Sequence, residues 1–196
     1  MQDYKIIFAG QTEAGKSIAI ATLSEIGVAR REDLRNADWF ATKLEMATMG
    51  ISYGQVVLPP DLKLSLYGTP DQERFRSAWQ NATVGAIGVV IIIDSSGARP
   101  LEDVSHYIDF FALQGIVNIV VGLTRMGEGN VRDMDEFHAH LADKKCPYPV
   151  FSVDVRSQSD VLLLVETVVA FVEVKALVLR DRLKRLQAER IPFLDN

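Results

Sequence analysis

The feature that most limits how this chain can fold is a loop motif near its amino terminus. Residues 10–17 have the sequence Gly-Gln-Thr-Glu-Ala-Gly-Lys-Ser, which fits the pattern G-x-x-x-x-G-K-[ST]. The apolar run at 4–9 is typical of a strand, and apolar residues recur at helical spacing from Ser17 to Ile26. A loop between a strand and a helix leaves backbone N–H groups of the first helical turn directed at one point, which favours an anion there. The motif therefore predicts a phosphate-binding loop.

The residue types in this loop each have a physical role. Gly10 and Gly15 allow the backbone to curl around phosphates, Lys16 reaches the β- and γ-phosphates, and Ser17 offers a hydroxyl to magnesium. The side chain of Glu13 is expected to face solvent, because only the N–H groups of the loop must face the phosphates. The predicted contact segment consists of Gly10, Gln11, Thr12, Glu13, Ala14, Gly15, Lys16, Ser17 and Ile18.

Apolar runs and helical patterns alternate along the rest of the chain. Strands are predicted at 51–58, 62–66, 89–93, 116–123 and 149–153, and helices at 72–82, 101–111, 134–141 and from 160 onward. This alternation predicts an α/β fold: a single P-loop domain with a doubly wound, mostly parallel six-stranded sheet and helices on both faces. We expect the domain to span 1–179 and residues 180–196 to extend the last helix and form a tail. Ligands in such folds bind beyond the carboxyl ends of the strands.

Composition excludes several classes of function. A net charge of −5 over 196 residues argues against a nucleic-acid binder that works by neutralising phosphates. A single cysteine, Cys146, rules out an internal disulfide and fits a reducing compartment. The longest apolar stretch, 161–179, is interrupted by charged residues, so no membrane span is expected. Because the predicted first strand starts at the amino terminus, no signal peptide is expected either. These features predict a cytoplasmic protein.

Taken in order, the segments at the strand ends resemble those of the Ras-like small GTPases over nearly the whole chain. Residues 48–54, Thr-Met-Gly-Ile-Ser-Tyr-Gly, resemble the first switch, and 66–75, Leu-Tyr-Gly-Thr-Pro-Asp-Gln-Glu-Arg-Phe, resemble the second. The Gly-Thr-Pro before Gln-Glu-Arg-Phe is similar to the bacterial branch of MglA-type gliding and polarity GTPases and conservon GTPases. Residues 124–127, Thr-Arg-Met-Gly, stand where this family recognises guanine, and 152–156 resemble its last base-contacting loop.

The resemblance implies a set of ligands and partners. GTP or GDP would bind with magnesium, which Ser17 and Thr48 would hold, and Gln72 would orient the attacking water. The family further implies nucleotide contacts from Asp71, Thr124, Arg125, Gly127, Asp154, Val155 and Arg156. In the bacterial branch, the partner is often a small roadblock-type regulatory protein, and the output concerns signalling, polarity or motility.

Three positions depart from the family pattern. Gly68 replaces an aspartate that holds magnesium through water, so we expect weaker magnesium dependence. Asp71 replaces a glycine near the γ-phosphate. Two like charges about 4 Å apart repel by about 1 kcal/mol in water and about 4 kcal/mol near a protein surface, which would disfavour the triphosphate state. Gly127 replaces the aspartate that accepts two hydrogen bonds from guanine, so preference for GTP over ATP stays open.

Two functions therefore remain in view. The first is a small GTPase-like switch with slow, magnesium-dependent GTP hydrolysis that needs an activating partner. The second is a pseudo-GTPase scaffold that binds nucleotide without hydrolysis, or with relaxed base specificity. A third, an ATP-dependent phosphotransferase, is disfavoured because no segment provides an arginine-bearing lid. The last helix carries Leu163, Val168 and Val178 outside a single apolar stripe, which fits either packing along the domain or a surface for a partner or homodimer.

Overall fold

The computed structural model describes residues 2–24, 52–70, 76–127, 133–142 and 148–189. The strands are β1 (Gln2–Gly10), β2 (Ser52–Leu58), β3 (Leu62–Gly68), β4 (Ala86–Asp94), β5 (Ile119–Thr124) and β6 (Val150–Ser152). The helices within these ranges are α1 (Lys16–Leu23), α2 (Arg76–Thr83), α3 (Pro100–Leu113), α4 (Met134–Ala142) and α5 (Gln158–Glu189). The predicted strands and helices are confirmed, with shifts of a few residues at their ends.

The strands form one six-stranded sheet in the order β2-β3-β1-β4-β5-β6. Strand β1 pairs in parallel with β3 and β4, and β5 pairs in parallel with β4 and β6. Strand β2 is antiparallel to β3, because only residues 59–61 join them and so short a connection permits only a hairpin. The predicted doubly wound, mostly parallel sheet is therefore confirmed.

Apolar side chains of the central strands alternate between two cores, one on each face of the sheet. Phe8 of β1 packs into a cluster with residues of α1 and α5, whereas its neighbour Ile7 packs into a second cluster with residues of α2 and α3. The run Val89–Ile93 in β4 is fully buried, as expected for a strand that is covered on both faces. This arrangement fixes the carboxyl ends of β1, β4 and β5 at one edge, where the loops that follow them meet.

The first part of helix α5 packs on the sheet, and its later part carries exposed apolar side chains. Val168 is fully buried and belongs to the core, so its expected place outside the main apolar stripe was wrong. Within α5, Leu163 is 43% exposed, and a run of exposed apolar side chains starts at Val174, which is 57% exposed. The helix is 32 residues long, and its Lys175 still donates to Asn118 Oδ1, so contact with the domain extends to that point. The domain boundary at 179 stays a prediction.

In the part of the chain that the structure describes, no helix combines the length and apolarity needed to span a bilayer.

Candidate functional site

The loop between β1 and α1 is held in a shape that requires glycine at its start. Gly10 has φ +143°, and a Cβ atom built there would lie 1.9 Å from the carbonyl oxygen of Ile92 on β4. The backbone of the loop therefore lies directly against its neighbouring strand. At the other end of the loop, Gly15 is the N-cap of α1 in a left-handed conformation, without a side-chain cap, and the first turn of α1 holds no acidic residue. The start of α1 thus retains the partial positive charge that favours an anion.

Lys16 places a buried ammonium at the centre of this loop. Lys16 is 5% exposed, and its Nζ donates to the carbonyl oxygens of Gly10 at 2.8 Å and Gln11 at 2.7 Å. These two bonds fold the lysine side chain back over the loop and hold its charge beside the start of α1. A buried cation next to directed N–H groups is the arrangement that a polyphosphate needs.

The loop is also tied to the rest of the sheet by the side chain of Gln11, which sequence reasoning treated only as a contact residue. Its Nε2 donates to Asp103 Oδ2 on α3, and its Oε1 accepts from the backbone N–H of Asp94 at 3.2 Å. Both partners are distant in sequence, so no local pattern could have revealed this link. The amide of Gln11 thus fixes the phosphate-loop candidate to β4 and α3.

The hydroxyl of Ser17, the predicted magnesium ligand, is exposed at the edge of the loop. Its Oγ lies 2.6 Å from Ser52 Oγ, at the start of β2. Gly68, at the end of β3, pairs in register with Ser52. Sequence reasoning placed Ser52 in the segment that resembles the first switch, without giving it a role.

Thr124, at the end of β5, lies where it connects the base-recognition candidate to the phosphate loop. Thr124 is 5% exposed, and its hydroxyl oxygen is 3.3 Å from the Ile93 carbonyl oxygen and 3.5 Å from the Ala14 carbonyl oxygen. The second contact is long for a hydrogen bond and therefore weak. The structure thus brings Thr124 and the phosphate loop together.

Arg125 adopts an uncommon backbone conformation that aims its side chain at Asp94. Its φ is +56°, and its Nη1 lies 2.5 Å from Asp94 Oδ2. Asp94 is further fixed because its Oδ1 accepts from the N–H of Ser96 at 3.0 Å and from its hydroxyl at 2.6 Å. The guanidinium is thereby held over the end of β4, and sequence reasoning did not predict that pairing.

Gly127 presents no acceptor where the resembling family has a carboxylate. Its φ is +93°, and a Cβ atom built there would have no heavy atom of the described residues within 4 Å. Residues 128–132, which follow directly, lie outside the described residues. Among the described residues, no neighbouring atom fills the space beside Gly127 from which the carboxylate is missing.

The turn after β6 is tied to the phosphate loop through Val155. Its side chain packs against Gly15, since a Cβ atom there would lie 2.8 Å from Val155 Cγ2, and its carbonyl accepts from Thr22 Oγ1 on α1 at 2.8 Å. The carboxylate of Asp154 caps its own turn, because Oδ1 accepts from the N–H of Arg156 at 2.9 Å. Arg156 is exposed. Of these three predicted contact residues, Val155 is the one that touches the loop.

Asp160 anchors the same turn from the first turn of α5. Its Oδ2 accepts from the N–H of Asp154 at 3.0 Å, and its Oδ1 accepts from the Ser157 hydroxyl at 2.8 Å. The bond from the Asp154 backbone, followed by that from Ser157, lowers the pKa of the Asp160 carboxyl below its ordinary value of 3.8.

Backbone strain coincides with both predicted loops. Within the described ranges, Glu13 and Arg125 are the two residues other than glycine with positive φ. Each such conformation is unfavourable by about 1–2 kcal/mol, and strain of this kind concentrates at functional sites. Glu13 is also exposed, as predicted.

Several predicted contacts can be placed only in part. Thr48, Asp71 and Gln72 lie outside the described residues. Thr12 and Ile18 are exposed on the loop and on α1, whereas Ala14 is buried. The contacts of all these residues with a nucleotide stay predictions.

The residues present suit a magnesium ion that keeps most of its ligands from phosphate and water. In the described part of the chain, no group of three or more His, Cys, Asp or Glu side chains is placed to hold a metal. The Ser17 hydroxyl is instead a single neutral oxygen at the mouth of the phosphate loop. Magnesium is commonly bound in this way, through few protein oxygens together with substrate phosphates.

Comparison with known proteins agrees with this geometry at the level of the superfamily. No protein-family model matches the chain. It is 26% identical over 125 residues to the Ras-related protein Rab-1D of Dictyostelium discoideum, covering 61% of this chain and 55% of that protein. It has the same identity and coverage with the GTP-binding protein ypt1 of Schizosaccharomyces pombe. The match thus spans about half the length of these curated relatives.

Solved structures show the same fold. The Arl6 BBS3 small GTPase from Trypanosoma brucei, with bound nucleotide analogue GppNp, superposes with a TM-score of 0.65 at 14% identity and covers 87% of this chain and 97% of that one. The bacterial selenocysteine-specific elongation factor EF-Sec superposes with a TM-score of 0.60 at 20% identity, covering 87% of this chain and 29% of that one. The similarities support a Ras-like P-loop domain of the small GTPase superfamily. They do not distinguish the bacterial MglA-type branch.

Proposed function

We propose that this chain is a Ras-like nucleotide switch that binds GTP and GDP with magnesium and hydrolyses GTP slowly. The observation that carries the proposal is the buried Lys16 ammonium, held over the start of α1 by a loop that only Gly10 can fit against β4. The Rab, Ypt1 and Arl6 relatives named above support GTP as the nucleotide.

The residues divide the work of binding between two ends. The phosphate loop and Lys16 would hold the phosphates, Ser17 and Thr48 would hold magnesium, and the 124–127 and 154–156 loops would flank the base. Bound magnesium neutralises charge that develops on the phosphates during transfer. Gln72 is proposed to orient water. Asp71, beside the γ-phosphate, is proposed to slow the reaction by weakening the closed triphosphate state.

A protein partner is part of the proposal. A switch with an incomplete catalytic set needs an activator, and we propose a roadblock-type regulator in a bacterial signalling, polarity or motility pathway in the cytoplasm. The exposed apolar residues of α5, from Val174 to Leu179, offer a surface for that partner or for a homodimer. Sedimentation of the purified chain, alone and with a candidate regulator, separates these two uses of the helix.

A second function is favoured by one observation. Gly127 supplies no side-chain acceptor, so guanine would lose the hydrogen-bond pair that normally selects it. The alternative is a pseudo-GTPase scaffold that binds nucleotide with relaxed specificity between ATP and GTP and does not hydrolyse it.

Identification of the nucleotide that co-purifies with the protein tests these functions directly. The chain is purified gently in magnesium, denatured, and its released nucleotide is separated by chromatography, with Lys16→Ala as the control that should carry none. Recovery of GDP or GTP supports the switch, and recovery of ATP or ADP supports relaxed specificity. No nucleotide in the wild type, together with no calorimetric binding of any purine di- or triphosphate, would overturn both.

A further inference from the structure

A side chain at position 68 would meet close neighbours in this structure. Strands β2 and β3 are paired so that Ser52 lies opposite Gly68. A Cβ atom built on Gly68 would lie 3.1 Å from Ser52 Cβ, 3.5 Å from Ser52 Oγ and 3.0 Å from Ile20 Cδ1. The hydroxyl of Ser52 therefore lies beside the position at which a carboxylate is absent.

The hydroxyl of Ser52 is aimed at the predicted metal ligand. Ser52 Oγ and Ser17 Oγ are 2.6 Å apart, although the residues are 35 positions apart in sequence. This bond joins the start of β2 to the first turn of α1. It connects an edge strand to the phosphate loop at the point where magnesium is expected.

We propose that Ser52 is a positioning residue of the magnesium site and replaces the carboxylate that Gly68 lacks. The inference rests on the proposed nucleotide function. A serine hydroxyl has one proton and two lone pairs. When Ser17 directs a lone pair at a cation, its proton must be donated elsewhere, and Ser52 Oγ lies at hydrogen-bond distance to accept it. Ser52 thereby fixes the rotation of the Ser17 hydroxyl.

A hydroxyl acts more weakly than a carboxylate in this role. It carries no charge, so it orients Ser17 without adding the Coulomb attraction that a carboxylate gives to a divalent ion. Loss of an outer partner of a metal ligand typically lowers metal affinity by about 10–100-fold. Because Ser52 is neutral, we expect its removal to fall at the low end, about tenfold.

The test measures how much magnesium is needed to retain a bound nucleotide, rather than turnover. A fluorescent guanine nucleotide is loaded on the full chain, and its release rate is followed across a series of free magnesium concentrations and in EDTA. In Ser52→Ala, we expect the half-saturating magnesium concentration to rise about tenfold, with release in EDTA unchanged. Ser52→Thr keeps the hydroxyl and should stay near the wild type.

The matched control is Ser24→Ala. Ser24 Oγ accepts from the N–H of Gln55 at 3.2 Å, so it also links α1 to β2, but it lies seven residues, or about 10 Å, along the helix from Ser17. Removing it perturbs the same two elements away from the metal. Thermal unfolding of each variant without nucleotide accounts for any general loss of stability.

A second pair of variants tests whether a carboxylate at position 68 can take the place of the Ser52 hydroxyl. Gly68→Asp alone is crowded by Ile20 Cδ1 and by Ser52. Adding Ser52→Gly removes the second contact, and the flexible end of the Ile20 side chain can shift. The double variant should regain or exceed the wild-type magnesium affinity, which Ser52→Gly alone should lack.

The outcomes separate this inference from the proposed function. A shift in Ser52→Ala that Ser24→Ala does not share supports it. Equal magnesium dependence in wild type and Ser52→Ala, or a loss in Ser52→Ala that persists in EDTA, overturns it while leaving nucleotide binding intact. Failure of the wild type to retain any nucleotide would instead overturn the proposed function itself.

Discussion

The phosphate end and the base end of the candidate site lie at the same edge of the sheet, but they differ in how completely they supply binding groups. At the phosphate end, Gly10 fits against Ile92, and the Lys16 ammonium is buried and bonded to two loop carbonyls. At the base end, Gly127 has no side-chain acceptor, and Arg125 is turned toward Asp94. The first end has the groups that a bound polyphosphate would require, whereas the second lacks the charged acceptor that the resembling GTPases have there.

The difference indicates which part of the proposed nucleotide binding should be the stronger in this chain. Phosphate binding draws on backbone N–H groups and one cation, which recognise any nucleotide. Base selection draws on side-chain acceptors, and leaving a buried base edge unpaired is unfavourable by about 1–3 kcal/mol per group. We therefore expect strong binding of the phosphates with weak discrimination between bases.

The largest effect is expected from Lys16→Ala. Removing one partner of a buried, charge-assisted contact typically weakens binding by about 2–5 kcal/mol, so nucleotide affinity should fall at least about 30-fold. Calorimetry with GDP and magnesium measures the loss. Lys5→Ala is the control, because Lys5 lies near the opposite end of β1, where its Nζ donates to the Val84 carbonyl at 3.1 Å. Equal affinity in Lys16→Ala and wild type would remove the phosphate end from the site.

Gly127→Asp should increase the preference for GTP over ATP at the base end. A carboxylate there supplies the missing acceptor, and a charged hydrogen bond contributes about 1.5 kcal/mol or more, so preference for GTP over ATP should rise about tenfold. The backbone has φ +93°, which strains any side chain, and Gly127→Ala reproduces that strain without the acceptor. Competition between the two triphosphates measures the ratio. A rise in both variants alike would mean that the backbone, not the carboxylate, sets the preference.

Asp94→Asn tests whether Arg125 contributes to base binding through its ion pair. The Asp94 carboxyl is 14% exposed and Arg125 is 47% exposed, so the pair is partly screened and should contribute about 1 kcal/mol. Losing it should free Arg125 and lower nucleotide affinity about fivefold. Ser96→Ala is the control, since it removes a bond to Oδ1 and leaves the Oδ2 pair with Arg125. No change in Asp94→Asn would assign Arg125 to the protein surface.

The sequence predicted the phosphate end better than the base end for a physical reason. The loop at 10–17 is continuous in the chain, so a local pattern carries its geometry. Contacts of the base end come from β4, β5, β6 and α5, and a link such as Thr22 to the Val155 carbonyl joins residues 133 positions apart. The pairings of Gln11 with Asp103 and of Ser52 with Ser17 were missed for the same reason. Periodicity predicts which face of an element is buried, but not which polar groups meet across elements.

The burial pattern along α5 was not predicted for a related reason. Apolar residues recur along the helix, and the pattern alone does not record which of them meet the sheet. Val168 is core and Val174 is exposed, yet both have the same side chain within one helix. Val168 lies against Gly88, near the start of β4, whereas Val174 is six residues farther along the helix.

The smallest effect concerns pH at the base end. The pKa of Asp160 is lowered in the folded chain by the Asp154 N–H and the Ser157 hydroxyl, so its carboxylate stabilises the turn at pH values above its ordinary pKa of 3.8. That contribution should be lost as the pH falls through the lower, folded-state pKa, and it should be unchanged near neutral pH. The amide signal of Asp154 in an NMR titration reports the bond, and Asp160→Asn should abolish its acid transition while Asp181→Asn, farther along the same helix, should leave it intact. A transition that persists in Asp160→Asn would mean that another group holds the turn, and the base end would then owe its shape to Val155 and Thr22 alone.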